Sequence, residues 1–170
     1  MISITRASEE DLKDLQIISI NSFYQAFRND NSEEDMSNYL ENNFNLEKLR
    51  GQLQNPLSSF YLVKKNQETI GYFKLNIGLA QTDSHNPNAL EIERIYLLQQ
   101  YTGKGVAQEM MVKIIEIAKS SAVKSIWLGV WENNHRAIRF YEKYGFEKFD
   151  EHIFMLGHDA QTDWMMRLYL

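Results

Sequence analysis

LEIERIYLLQQYTGKGVAQEMM, running from Leu90 to Met111, decides how this chain is read. Leu90, Ile92, Arg94 and Tyr96 alternate with Glu91, Glu93, Ile95 and Leu97, the period of two that marks a strand. Gly103 and Gly105 then bracket Lys104, and Val106, Met110, Ile114 and Ile117 follow at helical spacing. A glycine loop between strand and helix lets backbone amides come close to an anion. The free N–H groups and the dipole of the helix start supply the attraction.

Two common phosphate loops do not fit. A Walker loop needs four residues between its glycines and then Lys-Ser/Thr, whereas one residue separates Gly103 from Gly105. The dinucleotide fingerprint needs a third glycine where Gln108 stands. What remains is a strand, a loop Thr102 to Gln108 built for an anion, and an amphipathic helix.

Working outward, WENNHRAIRFYEKYGF, Trp131 to Phe146, reads as a capped helix with a glycine stop. Asn134 is the N-cap, Ala137, Ile138, Tyr141 and Tyr144 form an apolar face, and Gly145 ends it. Upstream, Ile2 to Arg6 alternates as a strand, and Ser8-Glu9-Glu10-Asp11 opens a helix towards Phe27. Ser32-Glu33-Glu34-Asp35 opens another, and Asn45 caps a third through Leu53. Acids at a helix start answer the dipole, so this run is structural first and the rim of a cation-binding cleft second. Phe60 to Val63 and Ile70 to Leu75 are strands joined at Asn66-Gln67, and Gln81 to Asn88 reads as an exposed loop. Ser125 to Val130 is a strand. A further strand lies near Ile153 to Leu156, then a loop Gly157 to Thr162, then a last strand Trp164 to Leu170.

Composition narrows the class. A length of 170 residues with no repeat or linker suggests one domain, 1–170. No apolar run approaches a membrane span, and the N-terminus lacks a signal peptide's basic start and long apolar core, so no membrane partner is expected. Zero cysteines exclude disulfides, thiolate metal sites and a cysteine nucleophile, and suit a cytoplasmic protein. His85, His135, His152 and His158 are scattered without metal-ligand spacing, so no metal is expected and all four read as surface residues. The formal charge of −5 argues against nucleic acid and leans towards a cationic substrate.

The two glycine-bearing segments together resemble the GCN5-related N-acetyltransferases. TGKGVA, Thr102 to Ala107, is similar to that family's acyl-CoA loop, Arg/Gln-x-x-Gly-x-Gly/Ala, with Gly105 and Ala107 in the small-residue slots and Thr102 in place of Arg or Gln. QYTGKG, Gln100 to Gly105, matches the same formula literally, but the later register sets Met110 and Met111 at the family's paired apolar positions. Asn134, Ala137, Phe140, Tyr141, Gly145 and Phe146 follow the later family segment in order.

The resemblance implies an α/β (α+β) fold: a mixed, mostly antiparallel sheet of about seven strands, helices on both faces, and a splayed central cleft that admits acetyl-CoA. It implies backbone groups of Ile95, Tyr96 and Leu97 beside the thioester at a strand bulge, and pyrophosphate on Thr102, Gly103, Lys104, Gly105, Val106, Ala107 and Gln108. Asn134 would bond the pantetheine arm, and Tyr141 would protonate the leaving thiolate. Acetyl transfer also requires removal of a proton from the amine and stabilisation of a tetrahedral oxyanion. Glu91 and Glu93, on one face of the central strand, are the candidate bases or amine holders, against a solvated strand face or a salt bridge to Arg94. LEIERIYL, IWLGVWE and Gln161-Thr162-Asp163 further resemble PaiA-type spermidine/spermine N-acetyltransferases, which implies a polyamine acceptor. A protein N-terminal or lysine acetyltransferase and a CoA-binding regulator with little turnover are the alternatives, and a homodimer is possible.

Overall fold

The computed structural model describes residues 1–83 and 86–170 of the chain. In order, the elements are β1 (Ile2–Arg6), α1 (Leu12–Phe27), α2 (Glu33–Asn43), α3 (Leu46–Gln54), β2 (Ser58–Lys65), β3 (Glu68–Ile77), β4 (Ala89–Leu97), α4 (Val106–Ser120), β5 (Ser125–Trp131), α5 (His135–Lys143), β6 (Glu147–Leu156) and β7 (Asp159–Tyr169). The strands form one sheet in the order β1-β2-β3-β4-β5-β7-β6. Among the described residues only the central β4–β5 pair is parallel, and the other five neighbouring pairs are antiparallel. A single crossover through α4 accounts for the parallel pair, because parallel neighbours need a long connection.

Each face of the sheet has its own apolar core. On one face, Val106, Met110, Met111, Ile114 and Ala118 of α4 and Ile138 and Tyr141 of α5 pack on Phe73, Leu90, Ile92, Ile126 and Leu128. On the other, Leu15, Ile18 and Phe23 of α1, Met36 of α2 and Leu49 of α3 pack on Phe60, Leu62 and Tyr72. Of the apolar residues read at helical spacing in α4, Val106, Met110 and Ile114 are buried and Ile117 packs half-buried at the edge. Burial of a large aliphatic side chain contributes roughly 1.5–3 kcal/mol, so these faces fix which side of the sheet each helix takes.

The expected caps form. Ser32 Oγ accepts from the Asp35 amide at 3.1 Å, Asn45 Oδ1 from Lys48 at 2.9 Å and Asn134 Oδ1 from Ala137 at 3.2 Å. Ser8 precedes a short 3-10 turn, Glu9–Asp11, that runs into α1. The hairpin at Asn66-Gln67 uses two left-handed residues, φ 49° and 71°, as a tight turn with the twist of its strands demands.

Two stretches differ from expectation. The last hairpin turns tightly at Gly157, so β6 begins at Glu147 and β7 at Asp159 instead of flanking a six-residue loop. Along Glu147–Glu151 every residue is exposed, so no apolar alternation announces the strand. Gln81 is not an exposed loop residue: it is buried and accepts a 2.7 Å bond from the Trp127 indole. Among the described residues no helix is long and apolar enough to cross a membrane.

Candidate active site

The cleft begins where β4 and β5 part. Their pairing covers only Ala89–Ile92 against Ser125–Leu128. From Arg94 onward β4 keeps β3 as its sole partner, while Gly129, Val130 and Trp131 pair with β7 alone. The backbone groups of Ile95, Tyr96 and Leu97 that do not face β3 therefore point to an open edge. An open edge presents unpaired donors and acceptors to whatever enters.

A bulge sits at the parting. Lys74 lies opposite Arg94 and Leu75 opposite Ile92, which leaves Glu93 as the extra residue. The bulge resets the alternation of the strand. Leu90 and Ile92 face the α4 core before it, and Ile95 and Leu97 face that core after it. Tyr96 goes instead to the aromatic cluster of the opposite face, 6.0 Å from both Phe23 and Tyr72. The simple alternation read from sequence fails at this one residue.

The two acids of β4 have different surroundings. Glu93 Oε2 lies 2.5 Å from Lys74 Nζ and accepts from Asn76 Nδ2 at 2.6 Å, while Oε1 lies 3.5 Å from Arg94. Burial works to raise its carboxyl pKa, but Arg94 and Lys74 outweigh burial and hold it below the ordinary value. Glu91 is 2% exposed. It accepts from the Thr82 amide at 2.8 Å, from the Thr82 hydroxyl and from Asn76 Nδ2 at 3.0 Å. Burial raises its pKa against those hydrogen bonds. Glu91 thus ties the segment after β3 to the sheet, and Glu93 is the acid nearer the open edge.

At the other end of β4, a 3-10 turn, Gln99–Tyr101, leads into the glycine loop. Gly103 and Gly105 adopt φ of 76° and 86°, which side-chain-bearing residues resist. Gly105 is the N-cap of α4, and no side chain caps it. The first turn of α4, from Val106 through Ala107 to Gln108, therefore opens outward with its amides uncapped. The Thr102 hydroxyl donates to the Gln99 carbonyl at 2.7 Å, holding the entry to the loop. Lys104 Nζ lies 5.9 Å from the centre of the Tyr101 ring, and Arg136 of α5 reaches the space beside Gly103. Two cations thus flank the loop.

Tyr141 is carried on the inner face of α5, 8% exposed, with Phe146 and Phe140 edge-on to its ring at 5.8 and 5.6 Å. Burial alone pushes its hydroxyl pKa well up. Tyr141 packs in the same core as Ile95 and Leu97 of the open edge. Asn134 sits exposed at the head of the same helix.

Sequence reasoning missed part of the cleft wall. His152 and Asp163 are cross-strand partners on β6 and β7, and His152 Nδ1 lies 3.9 Å from Asp83. His152 is thus half-buried, while His135 and His158 are exposed as expected and His85 lies outside the described residues. Asp35 fills the volume that a β-carbon at Gly157 would need, which packs the head of α2 against the last hairpin. Tyr39 of α2 meets Phe154 of β6 edge-on at 6.0 Å in the same seam. Such contacts join residues far apart in the chain, and no short motif encodes them.

Residues 20–146 match the Acetyltransferase (GNAT) family, and the chain belongs to that family of acetyl-CoA-dependent N-acetyltransferases. Among its relatives is an uncharacterised N-acetyltransferase from the pepI 3′ region of Lactobacillus delbrueckii subsp. lactis, 40% identical over 98% of this chain and 96% of that protein. A spermidine N(1)-acetyltransferase of Thermoplasma acidophilum is 27% identical over 86% of this chain and 88% of that protein. Among solved structures, the PaiA N-acetyltransferase of Thermoplasma acidophilum in complex with coenzyme A superposes with a TM-score of 0.82 at 24% identity, covering 100% of this chain and 99% of that one. The fold expected from sequence is the fold found.

Proposed function

We propose that this chain, as one N-acetyltransferase domain over 1–170, moves the acetyl group of acetyl-CoA to a primary amine of a small polyamine. Acetyl-CoA, when bound, supplies an activated thioester and a thiolate leaving group. The observation that carries the reading is the open edge of β4, with the uncapped glycine loop at one end and a buried carboxylate–cation set at the other.

Gly103 and Gly105 let the backbone approach a pyrophosphate, and the amides of Val106, Ala107 and Gln108 donate to it, with Thr102 and Lys104 at the rim. The free edge of Ile95, Tyr96 and Leu97 receives the pantetheine arm, with Asn134 above it. Tyr141 donates its proton to the departing sulfur, and burial keeps that proton in place at physiological pH. Glu93, ionised because of Lys74 and Arg94, takes the amine's proton through water. Glu91, saturated by Thr82 and Asn76, positions Asn76 and the neighbouring segment, so Glu93 is the better base.

The acceptor class draws support from the spermidine acetyltransferase relative and from the acidic chain. Steady-state kinetics with acetyl-CoA and a panel of spermidine, spermine, a lysine peptide and a peptide N-terminus test it. Higher kcat/KM for the polyamines supports the reading. A preference for either peptide promotes a protein acetyltransferase, and CoA binding without turnover promotes a regulator.

A further inference from the structure

Across the cleft from Glu93 stands a carboxylate in a different electrostatic situation. Asp163 of β7 lies opposite Trp131 of β5 on one side and His152 of β6 on the other. Its Oδ2 is 3.5 Å from where a β-carbon at Gly129 would stand, and His152 Cε1 is 3.7 Å from the same point. Gly129 is exposed and is the first β5 residue beyond the stretch paired with β4. Asp163 therefore stands where the two strands part, over a gap in the sheet surface that only a glycine leaves.

Glu93 already has Lys74 at 2.5 Å and Arg94 at 3.5 Å. Among the described residues, no lysine or arginine forms an ion pair with Asp163. Burial raises the pKa of Asp163, opposed only by His152. A partly desolvated carboxylate without a permanent counter-charge is costly, and a cation arriving from outside relieves that cost. Both acids act on the charge balance of Tyr39. Its hydroxyl is pushed up to about 12 by burial, with Arg94 opposing and Tyr72, Glu93 and Asp163 adding to the rise. Its ring stacks on Phe23 at 4.5 Å and meets Phe154 edge-on at 6.0 Å, which provides an apolar wall beside the acids.

We propose that Asp163 anchors a second, non-reacting ammonium of the acceptor while the methylene spacer lies along the Tyr39 wall and the reacting amine reaches the open edge of β4. This deepens the polyamine reading and rests on it. It replaces the pair Glu91 and Glu93 as the source of selectivity for a polycation, since one is sealed and the other already neutralised.

Equilibrium binding of spermidine to the CoA-bound protein tests the anchor. Asp163→Asn is expected to raise the dissociation constant for spermidine about tenfold or more, the size of one charge-assisted hydrogen bond, and to leave CoA affinity unchanged. Asp163→Glu, which keeps the charge, should recover much of the loss. In turnover, a monoamine of the same backbone ending in a methyl group should show the same KM in wild type and Asp163→Asn. Equal spermidine affinity in both proteins overturns the proposal, as does absence of spermidine binding to the wild type. So does an equal loss for spermidine and the monoamine. Binding that depends on Asp163 without turnover supports the anchor and removes the enzymatic reading instead.

Discussion

Lys74 Nζ and Glu93 Oε2 meet at 2.5 Å where β4 bulges, a lysine of β3 serving an acid that has no partner of its own in the ladder. The pair has a cost on each side. Burial lowers the Lys74 pKa, and Lys74 with Arg94 lowers that of Glu93 against burial. A carboxyl held low when folded adds stability above its unfolded pKa, and that stability is lost as pH falls through the folded value.

Replacing the lysine tests Glu93 as the base. In Lys74→Met one of two cations is gone, so the Glu93 pKa should rise. Because the rate needs ionised Glu93, the acid limb of kcat/KM should move to higher pH. A limb that stays in place rules out Glu93 as the titrating base.

Gly105→Ala should weaken CoA binding. Its φ of 86° is strained for alanine, at roughly 1–2 kcal/mol of stability. Inside the protein a β-carbon there meets only Gln108 Oε1, at 4.0 Å, so the variant should fold. Calorimetry on the folded variant should show CoA affinity reduced about tenfold, because a methyl at the N-cap would crowd the helix start proposed to take the pyrophosphate. Unchanged affinity would remove the loop from the binding site.

Tyr141→Phe keeps the ring against Phe146 and removes only the hydroxyl. A loss in kcat of about a hundredfold is expected, with KM for acetyl-CoA little changed. Because burial raises this hydroxyl's pKa, any alkaline fall in the wild-type rate near pH 9 must come from another group. Full turnover in the variant rules out the proton-donor role.

Glu91→Gln should act on stability first. The carboxyl group contacts Thr82 twice and Asn76 once, and in its protonated form it keeps these contacts with a smaller burial cost. A carboxamide that turns its NH2 towards the Thr82 or Asn76 N–H loses at least one, so a loss of about 1–3 kcal/mol at acid pH is expected. Its pKa is raised when folded, so the folded chain binds the proton more tightly than the unfolded chain. Stability from that proton is full below the unfolded pKa and declines as pH rises through the folded value. The wild-type advantage over the variant should therefore be largest in acid and shrink towards neutrality in denaturant titrations.

The parts of this architecture written locally were legible in the chain. Gly103 and Gly105 announced themselves because few other residues accept their backbone, and Asn134 and Gly145 bounded α5 because caps and stops use a short list of side chains. The family resemblance put a bulge beside Ile95, Tyr96 and Leu97, but not at Glu93, because an extra residue shows only in the register of β4 with β3. Gln81 and Trp127 are 46 positions apart, and a polar residue in a loop gives no sign that an indole seeks it. His152 and Asp163 become neighbours only through a hairpin whose first strand is polar and exposed.

The extra residue at position 93 also makes β4 sensitive to length as well as to chemistry. A substitution at Glu93 alters one side chain. A deletion of that codon would bring Ile92 and Arg94 into uninterrupted alternation. Ile95 and Leu97 would still face the α4 core and Arg94 and Tyr96 the opposite face, but the bend at the parting of β4 and β5 and its carboxylate would be gone. Loss of residue 93 should therefore leave a chain that folds without its proposed base, whereas loss of a single residue between Ile95 and Leu97 would reverse the face of Leu97 and should be far rarer among folded variants.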